Sequence, residues 1–503
     1  MDVKPVSRVV IAGGGTAGWV AAASLTRLLG KSVSVTLIES DSISTVGVGE
    51  ATIPPIRTLH KLLGINEQAF IKATNATFKL GIEFSGWRNE DHAYIHSFGI
   101  TGKECWAGEF HHFWLRGLEK GIDADFGEYC FELQAAKAGK FGMSNQQAIN
   151  FAYHLDASKY AQFLREFSEN LGAKRIEGKI SKVNKQSSNG FISSLTLEDG
   201  SEVEGDLFID CTGFRALLIE QSLHTGYDDW SHWLPCNTAV TVQTKSVREP
   251  LPYTKSLAHD AGWQWRIPLQ NRVGNGLVFC DKYLSEDAAI ARLKSNVEGE
   301  LINEPRAIKF LTGRRRKGWN KNCVALGLSS GFIEPLESTS IHLIMTGIVR
   351  LMRLFPFKGI TDSLIDEYNT KLDSELNSIR DFIIMHYKVN NRRDGAFWDY
   401  CRHMDIPESL KHKLDLFQET GRVFLDDGDI FRVDSWTQVL LGQGMVPQQY
   451  HPITAEMSDA ELAKFLSDLK AQVNNAVAQL PSHQQFINQH CKANGIASEA
   501  RTK

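Results

Sequence analysis

The 503-residue chain carries little net charge, no long apolar run, no paired-cysteine motif and no low-complexity stretch. Each absence narrows the possibilities. A formal net charge of -4 gives no electrostatic reason to expect nucleic acid or an anionic membrane as partner, so a small-molecule role is favoured. No apolar stretch reaches the ~18 residues that crossing a bilayer needs, and no separate signal-peptide pattern stands ahead of the first strand. A soluble, cytoplasmic protein is expected. The eight cysteines, at 105, 130, 211, 236, 280, 323, 401 and 491, form no C-x-x-C pair and no Cys/His cluster of the spacing that zinc requires. They are expected as reduced thiols, with no metal site.

At this length the sequence predicts two domains or one enlarged α/β unit with insertions. Arg8 to Ala12 is a short apolar run, Ala17 to Leu29 is Ala/Leu-rich with helical composition, and Val33 to Ile38 is a β-branched run ending at Glu39. Together they make a β-α-β unit. Ala76 to Phe84 alternates, with Phe78, Leu80, Ile82 and Phe84 on one face of a strand and Thr77, Lys79, Gly81 and Glu83 on a polar one. Alternation around an Asp199-Gly200 turn predicts an antiparallel sheet inserted between Arg175 and Asp210. Val324 to Leu328 is expected as a late parallel strand. From Ser340 the apolar spacing turns helical, through Phe355 and on to Tyr387, with a terminal amphipathic helix from Asp459 to Val477. This shift places the expected boundary: 1–355 as a nucleotide-binding module with inserted substrate-side elements, and 356–503 as a mainly helical subdomain covering the substrate site.

The pattern Gly13-x-Gly15-x-x-Gly18, with Thr16 and Ala17 inside it, follows a strand, opens a helix and has Glu39 at the end of the next strand. Gly13 permits the tight turn, Gly15 lets backbone approach a pyrophosphate, Gly18 lets helix pack on strand, and Glu39 accepts from a ribose hydroxyl. The motif alone does not separate FAD from NAD. A second glycine-punctuated loop, Val46 to Pro54, offers Val48, Gly49 and Ala51 along an extended cofactor, and Asp210-Cys211-Thr212-Gly213 closes an apolar run that returns to the pyrophosphate region.

Three further segments make a resemblance. Gly262-Trp263-Gln264-Trp265-Arg266-Ile267-Pro268 contains W-x-W-x-I-P, which resembles the signature of flavin-dependent halogenases. Phe78-Lys79-Leu80-Gly81 resembles the segment bearing their active-site lysine, and Gly331 to Thr339, with Leu336 and Glu337, resembles their glutamate and halide segment. The matches run in family order from the first strand to about residue 355. The resemblance, to the tryptophan halogenases in particular, implies an FAD-binding Rossmann-like α/β fold of the glutathione-reductase and aromatic-hydroxylase type. It implies that FADH2 and O2 turn chloride or bromide into hypohalous acid, which travels to an electron-rich ring held away from the flavin. On this resemblance Lys79 and Glu337 are the catalytic pair, Leu336 lies by the cofactor, Thr339 and Ser340 bind halide through backbone groups, and Trp263 and Trp265 wall off the flavin side.

An ammonium at Lys79 suits the last step because it can hydrogen-bond hypohalous acid and place the halogen against a ring carbon. An unprotonated amine would form a haloamine instead, and the sequence does not choose. Glu337 can orient the oxidant or take the proton from the σ-complex, and the two charges are expected to hold each other in place. The structural alternatives are a solvated lysine, a glutamate complementing a helix dipole, serines acting as an N-cap and tryptophans packed in the core. Many tryptophan halogenases have glycine where Ser340 stands, so bromide or chloride preference stays open.

His96-Ser97-Phe98 resembles the H-x-F segment whose rings sandwich an indole in the family, a core histidine being the alternative, and Trp436 is a candidate to close the aromatic slot. No residue set for an amino-acid clamp aligns, so indole, substituted indoles or another electron-rich aromatic compete with tryptophan as substrate. The absence of a second G-x-G-x-x-G implies that a separate flavin reductase supplies FADH2. An aromatic monooxygenase and a non-catalytic flavin-binding protein are the rival functions. The oligomeric state stays open, a homodimer included.

Overall fold

The computed structural model describes residues 5–43, 49–105, 108–122, 125–143 and 149–493. Its nucleotide-binding half is a six-stranded sheet in the order Trp319–Asn320, Cys323–Ala325, Leu207–Asp210, Arg8–Ala12, Ser34–Glu39, Lys174–Glu177. All neighbours are parallel except the edge pair Trp319–Asn320 and Cys323–Ala325. Val9 to Ala12 are buried on both faces, as a parallel strand between helical layers requires. The helix Thr16–Leu29 follows the glycine turn and buries Gly18 to Thr26 against the helices Ala157–Asn170 and Ser340–Arg353.

The alternating segment is not one strand with a solvated face. It breaks at Leu80, whose N–H donates to Pro252 O rather than to a neighbouring strand. Thr77–Lys79 joins a three-stranded sheet with Gly49–Ala51 and Ala152–Asp156, whereas Gly81–Ser85 pairs with Ala93–Ser97 and Thr254–His259 in a second, seven-stranded sheet. Both faces are covered, and Lys79 has no exposed surface.

The Asp199-Gly200 turn lies between strands of an antiparallel three-stranded sheet formed by Ile180–Lys185, Ile192–Leu197 and Glu202–Glu204. The ends of the expected insertion, Lys174–Glu177 and Leu207–Asp210, belong instead to the parallel sheet. The larger sheet, which carries Trp263 and Trp265 on Gly262–Pro268, is the seven-stranded one, antiparallel except where Thr254–His259 runs parallel to Gly81–Ser85. Beyond it come the helices Ser340–Arg353, Asp362–Lys388, Ala396–His403, Glu408–Thr420, Val433–Gly442 and Asp459–Ala478. One hydrophobic core runs from Val9 through Phe382 and Trp436 to Ile487, so residues on both sides of position 356 share it. No helix among the described residues is long and apolar enough to cross a membrane.

Candidate active site

The nucleotide end is shaped by close approach. Gly13 has φ +104°, and a Cβ there would stand 2.3 Å from Cys211 O; one on Gly18 would stand 1.9 Å from Gly13 O. The helix that follows is capped by Gly15 with no side-chain acceptor and has no acidic residue in its first turn. Its free N–H groups, at Thr16 and Ala17 among others, therefore suit a pyrophosphate. Glu39 stands beside the turn, as expected, but its carboxylate already accepts from Arg175 Nε at 2.6 Å and Trp19 Nε1 at 3.3 Å. Arg175 is thus an orienting partner that sequence reading missed. Gly49 and Ala51 lie on the short strand beside Ala152–Asp156, where the Gly49 backbone packs against Gly274, and Leu336 is buried. Val48 lies outside the described residues. These residues fit an extended dinucleotide. Asp210, by contrast, works locally: Oδ2 accepts the N–H groups of Leu218 and Ile219.

Lys79 and Glu337 come to one buried site, but not as an ion pair. Lys79 Nζ donates to Ser338 Oγ at 2.7 Å, across 259 residues of sequence, and to Thr52 O at 3.1 Å, and it lies 5.0 Å from the Phe98 ring centroid. Glu337 is held by histidines instead. His96 Nδ1 stands 3.0 and 2.9 Å from its two oxygens, and His386 Nε2 lies 2.9 Å from Oε1, at ion-pair distance though off the ideal hydrogen-bond line. The expectation that Lys79 and Glu337 hold each other is therefore corrected. Burial pushes the Lys79 ammonium down to about 7, partly opposed by Glu337. Burial also pushes Glu337 upward, but the imidazoles of His96 and His386 outweigh it and hold the carboxyl at about 2.

Ser338 has φ +60°, a left-handed conformation costly for a serine, and it is this residue that meets Lys79. Thr339 next to it is the N-cap of the helix Ser340–Arg353, and its side chain accepts no capping hydrogen bond. The serine-cap alternative is thus not seen, and the first N–H groups of this helix remain available to an anion.

Trp263 and Trp265 are both buried, their ring centroids 6.0 Å apart. Trp263 Nε1 donates to Glu334 Oε2 at 2.9 Å, and Tyr387 Oη donates to the same oxygen at 2.6 Å. Burial pushes Glu334 up to about 7 against the pull of these two donors. Trp265 lies over Gly276, and its N–H has no partner. His96 packs 5.7 Å from Phe382, which stacks on Phe431 at 3.8 Å and meets Trp436 edge-on at 5.0 Å. Phe98 stays with Lys79; among the described residues no ring pair joins it to Trp436. This aromatic cluster is therefore centred on Phe382, which no local sequence signal marks. Thr52, Glu334, His386 and Phe431 were likewise not assigned roles from sequence, and the contact of Ser338 with Lys79 was not foreseen.

A cavity of about 1200 Å³, larger than the ~300–1,000 Å³ of ordinary small-ligand pockets, is lined by Pro54, Arg57, Tyr153, Met345, Arg350 and Ile430. Pro54 is two residues from Thr52, and Ile430 directly precedes Phe431. Elsewhere, Glu109, His111 and His112 bring potential metal-ligand atoms within 4.8 Å of one another. However, His112 Nδ1 accepts the His451 N–H, which leaves the proton on the Nε2 that would have to bind a metal.

The family model described as tryptophan halogenase matches residues 8–459. Among solved structures, the flavin-dependent halogenase Xcc4156 from Xanthomonas campestris has a TM-score of 0.97 at 52% identity, covering 98% of this chain and 100% of that one. BrvH, a flavin-dependent halogenase from Brevundimonas sp. BAL3, has a TM-score of 0.93 at 42% identity, covering 96% and 99%. The tryptophan 6-halogenase ThaL of Streptomyces albogriseolus is 33% identical over 96% of this chain and 98% of its own length.

Proposed function

Because the chain belongs to the tryptophan halogenase family and is a flavin-dependent halogenase, we propose that it halogenates an electron-rich indole-type ring with hypohalous acid positioned by Lys79. The observation that carries this reading is the meeting of Lys79 with Glu337-Ser338 in one fully buried site. FAD, reduced by a separate flavin reductase and held at the Gly13 to Gly18 turn, supplies with O2 and halide the electrophilic halogen. Thr339 and Ser340 bind the halide through backbone N–H groups, with bromide preferred because the Ser340 side chain reshapes a place that glycine often fills. Trp263 and Trp265 keep the ring from the flavin. The aromatic substrate approaches through the cavity beside Pro54 and Ile430, and His96, Phe98 and Trp436 hold its plane with Phe382. The helical part from 356 to 503 covers this end, since it carries Phe382, His386, Phe431 and Trp436. Tryptophan and free or substituted indoles are the candidate substrates. A cytoplasmic location is supported by eight cysteines, none in a disulfide.

Lys79 acts here as an ammonium. Two of its N–H groups are taken by Thr52 O and Ser338 Oγ, the third is free for the oxidant, and the Phe98 ring nearby favours the charged form. The group loses its proton near pH 7, so bromination of indole should be fastest below about 7 and fall as pH rises through it. A turnover profile measured with saturating reduced flavin checks this. A rate that climbs through the same pH would assign the step to the free amine and a haloamine.

A further inference from the structure

The geometry points to His386 as the positioning residue that keeps Glu337 ionised and aimed for removal of the ring proton, a role resting on the halogenation proposed above with Glu337 as the base. His386 sits on the helix Asp362–Lys388, fully buried. Its Nδ1 is 2.8 Å from Phe382 O. A carbonyl oxygen can only accept, so Nδ1 carries a hydrogen. On a neutral imidazole the other nitrogen would then present a lone pair, yet Nε2 stands 2.9 Å from Glu337 Oε1. Two lone pairs at that distance repel, whereas a protonated Nε2 makes an ion pair with the carboxylate even with its N–H off the direct line. The hydrogen-bond count at its two nitrogens thus makes His386 a cationic partner of Glu337.

The same count explains why Lys79 is not needed as counter-ion. Among the described residues no lysine or arginine lies at ion-pair distance from Glu337, whose partners are His96 and His386. The other titratable groups close enough to feel the carboxylate are Lys79 and Tyr94. The Tyr94 hydroxyl has no hydrogen-bond partner, and Lys79 spends its bonds on Thr52 and Ser338. A buried carboxylate left without a cation would take up a proton and lose its use as a base. His386 supplies a charge partner to Glu337 that is not Lys79, so that the lysine's own proton remains available to the oxidant. His96 Nε2 is also without a partner.

The step served is a proton transfer. Once the carbon–halogen bond has formed, the C–H bond at the same ring carbon breaks, its electron pair restores aromaticity, and the proton passes to a Glu337 oxygen. When Glu337 is a competent base this loss is fast and leaves no primary isotope effect on turnover. The test compares unlabelled indole with indole deuterated on its ring carbons, using bromide, FAD and a flavin reductase, in the wild type, His386→Gln, His386→Leu and Glu337→Gln. His386→Gln offers an N–H without charge. It should lower turnover about tenfold, or ~1.4 kcal/mol, and expose an isotope effect that the wild type lacks; His386→Leu should do more of both. Flavin binding reports folding, and if His386→Leu fails to fold, His386→Gln alone decides. An isotope effect in Glu337→Gln but in neither folded His386 variant overturns the role of His386 and leaves that of Glu337. Its absence from Glu337→Gln as well removes both.

Discussion

Lys79→Ala should lose halogenated product by at least a hundredfold while still binding FAD, since a placed proton donor contributes ~10²–10⁴ in rate. The residue has no exposed surface, and burial disfavours its charge, so its presence is not explained by stability; burying an ammonium costs free energy unless it is well bonded. The alanine variant removes that cost along with the hydrogen bonds to Ser338 and Thr52, and no large loss of folding stability is expected. The glycine turn is built by Gly13, Gly18 and Cys211, none of which touches Lys79. Reduced flavin should therefore still be consumed by O2, with the oxidant escaping to solvent. Mass spectrometry of the indole products, beside fluorescence titration of FAD, checks the two halves. Normal halogenation by this variant contradicts the assignment.

Glu337→Gln should cost about a hundredfold in turnover, the lower bound for losing a placed base, and unlike Lys79→Ala it should also cost stability. The carboxylate is hydrogen-bonded to His96 and lies at ion-pair distance from His386. An amide presents one oxygen and one NH2, so an imidazole that keeps its N–H toward the NH2 is left unsatisfied, and avoiding this takes a change in its protonation. An unsatisfied buried group costs about 1–3 kcal/mol, which thermal unfolding with and without FAD would show. Asp at this position would keep the charge but draw it back from His96 and His386, and should fall between the two.

Much of the nucleotide end was legible because its constraints are local. Gly13 and Gly18 have to be glycine where backbone oxygens lie within 2.3 Å of a would-be Cβ, and such positions recur at fixed spacing next to a strand. Lys79 was located by a resemblance; its alternating pattern misled about its surroundings, because period-two alternation does not say whether a strand's second face meets water or another layer. Here the chain breaks at Leu80 and passes from one sheet to another, which buries both faces. The partners of Glu337 were not legible at all. His386 lies within the helix Asp362–Lys388, one of several buried residues on it, and nothing in its spacing distinguishes a catalytic contact from packing. Phe382, one turn earlier, is the same case. Glu334 stood inside a recognised segment, yet its use by Trp263 and Tyr387 depends on a tertiary contact that sequence does not carry.

The most direct measurement of the central claim is product analysis with purified protein, FAD, a flavin reductase, NADH and a panel of indoles and phenols, run with bromide, with chloride and without halide. A singly halogenated aromatic that requires both halide and reduced flavin, with nothing formed when halide is left out, is the result expected of a site in which Lys79 delivers an electrophilic halogen. A hydroxylated ring formed without halide would contradict it and make the protein an aromatic monooxygenase on a halogenase fold.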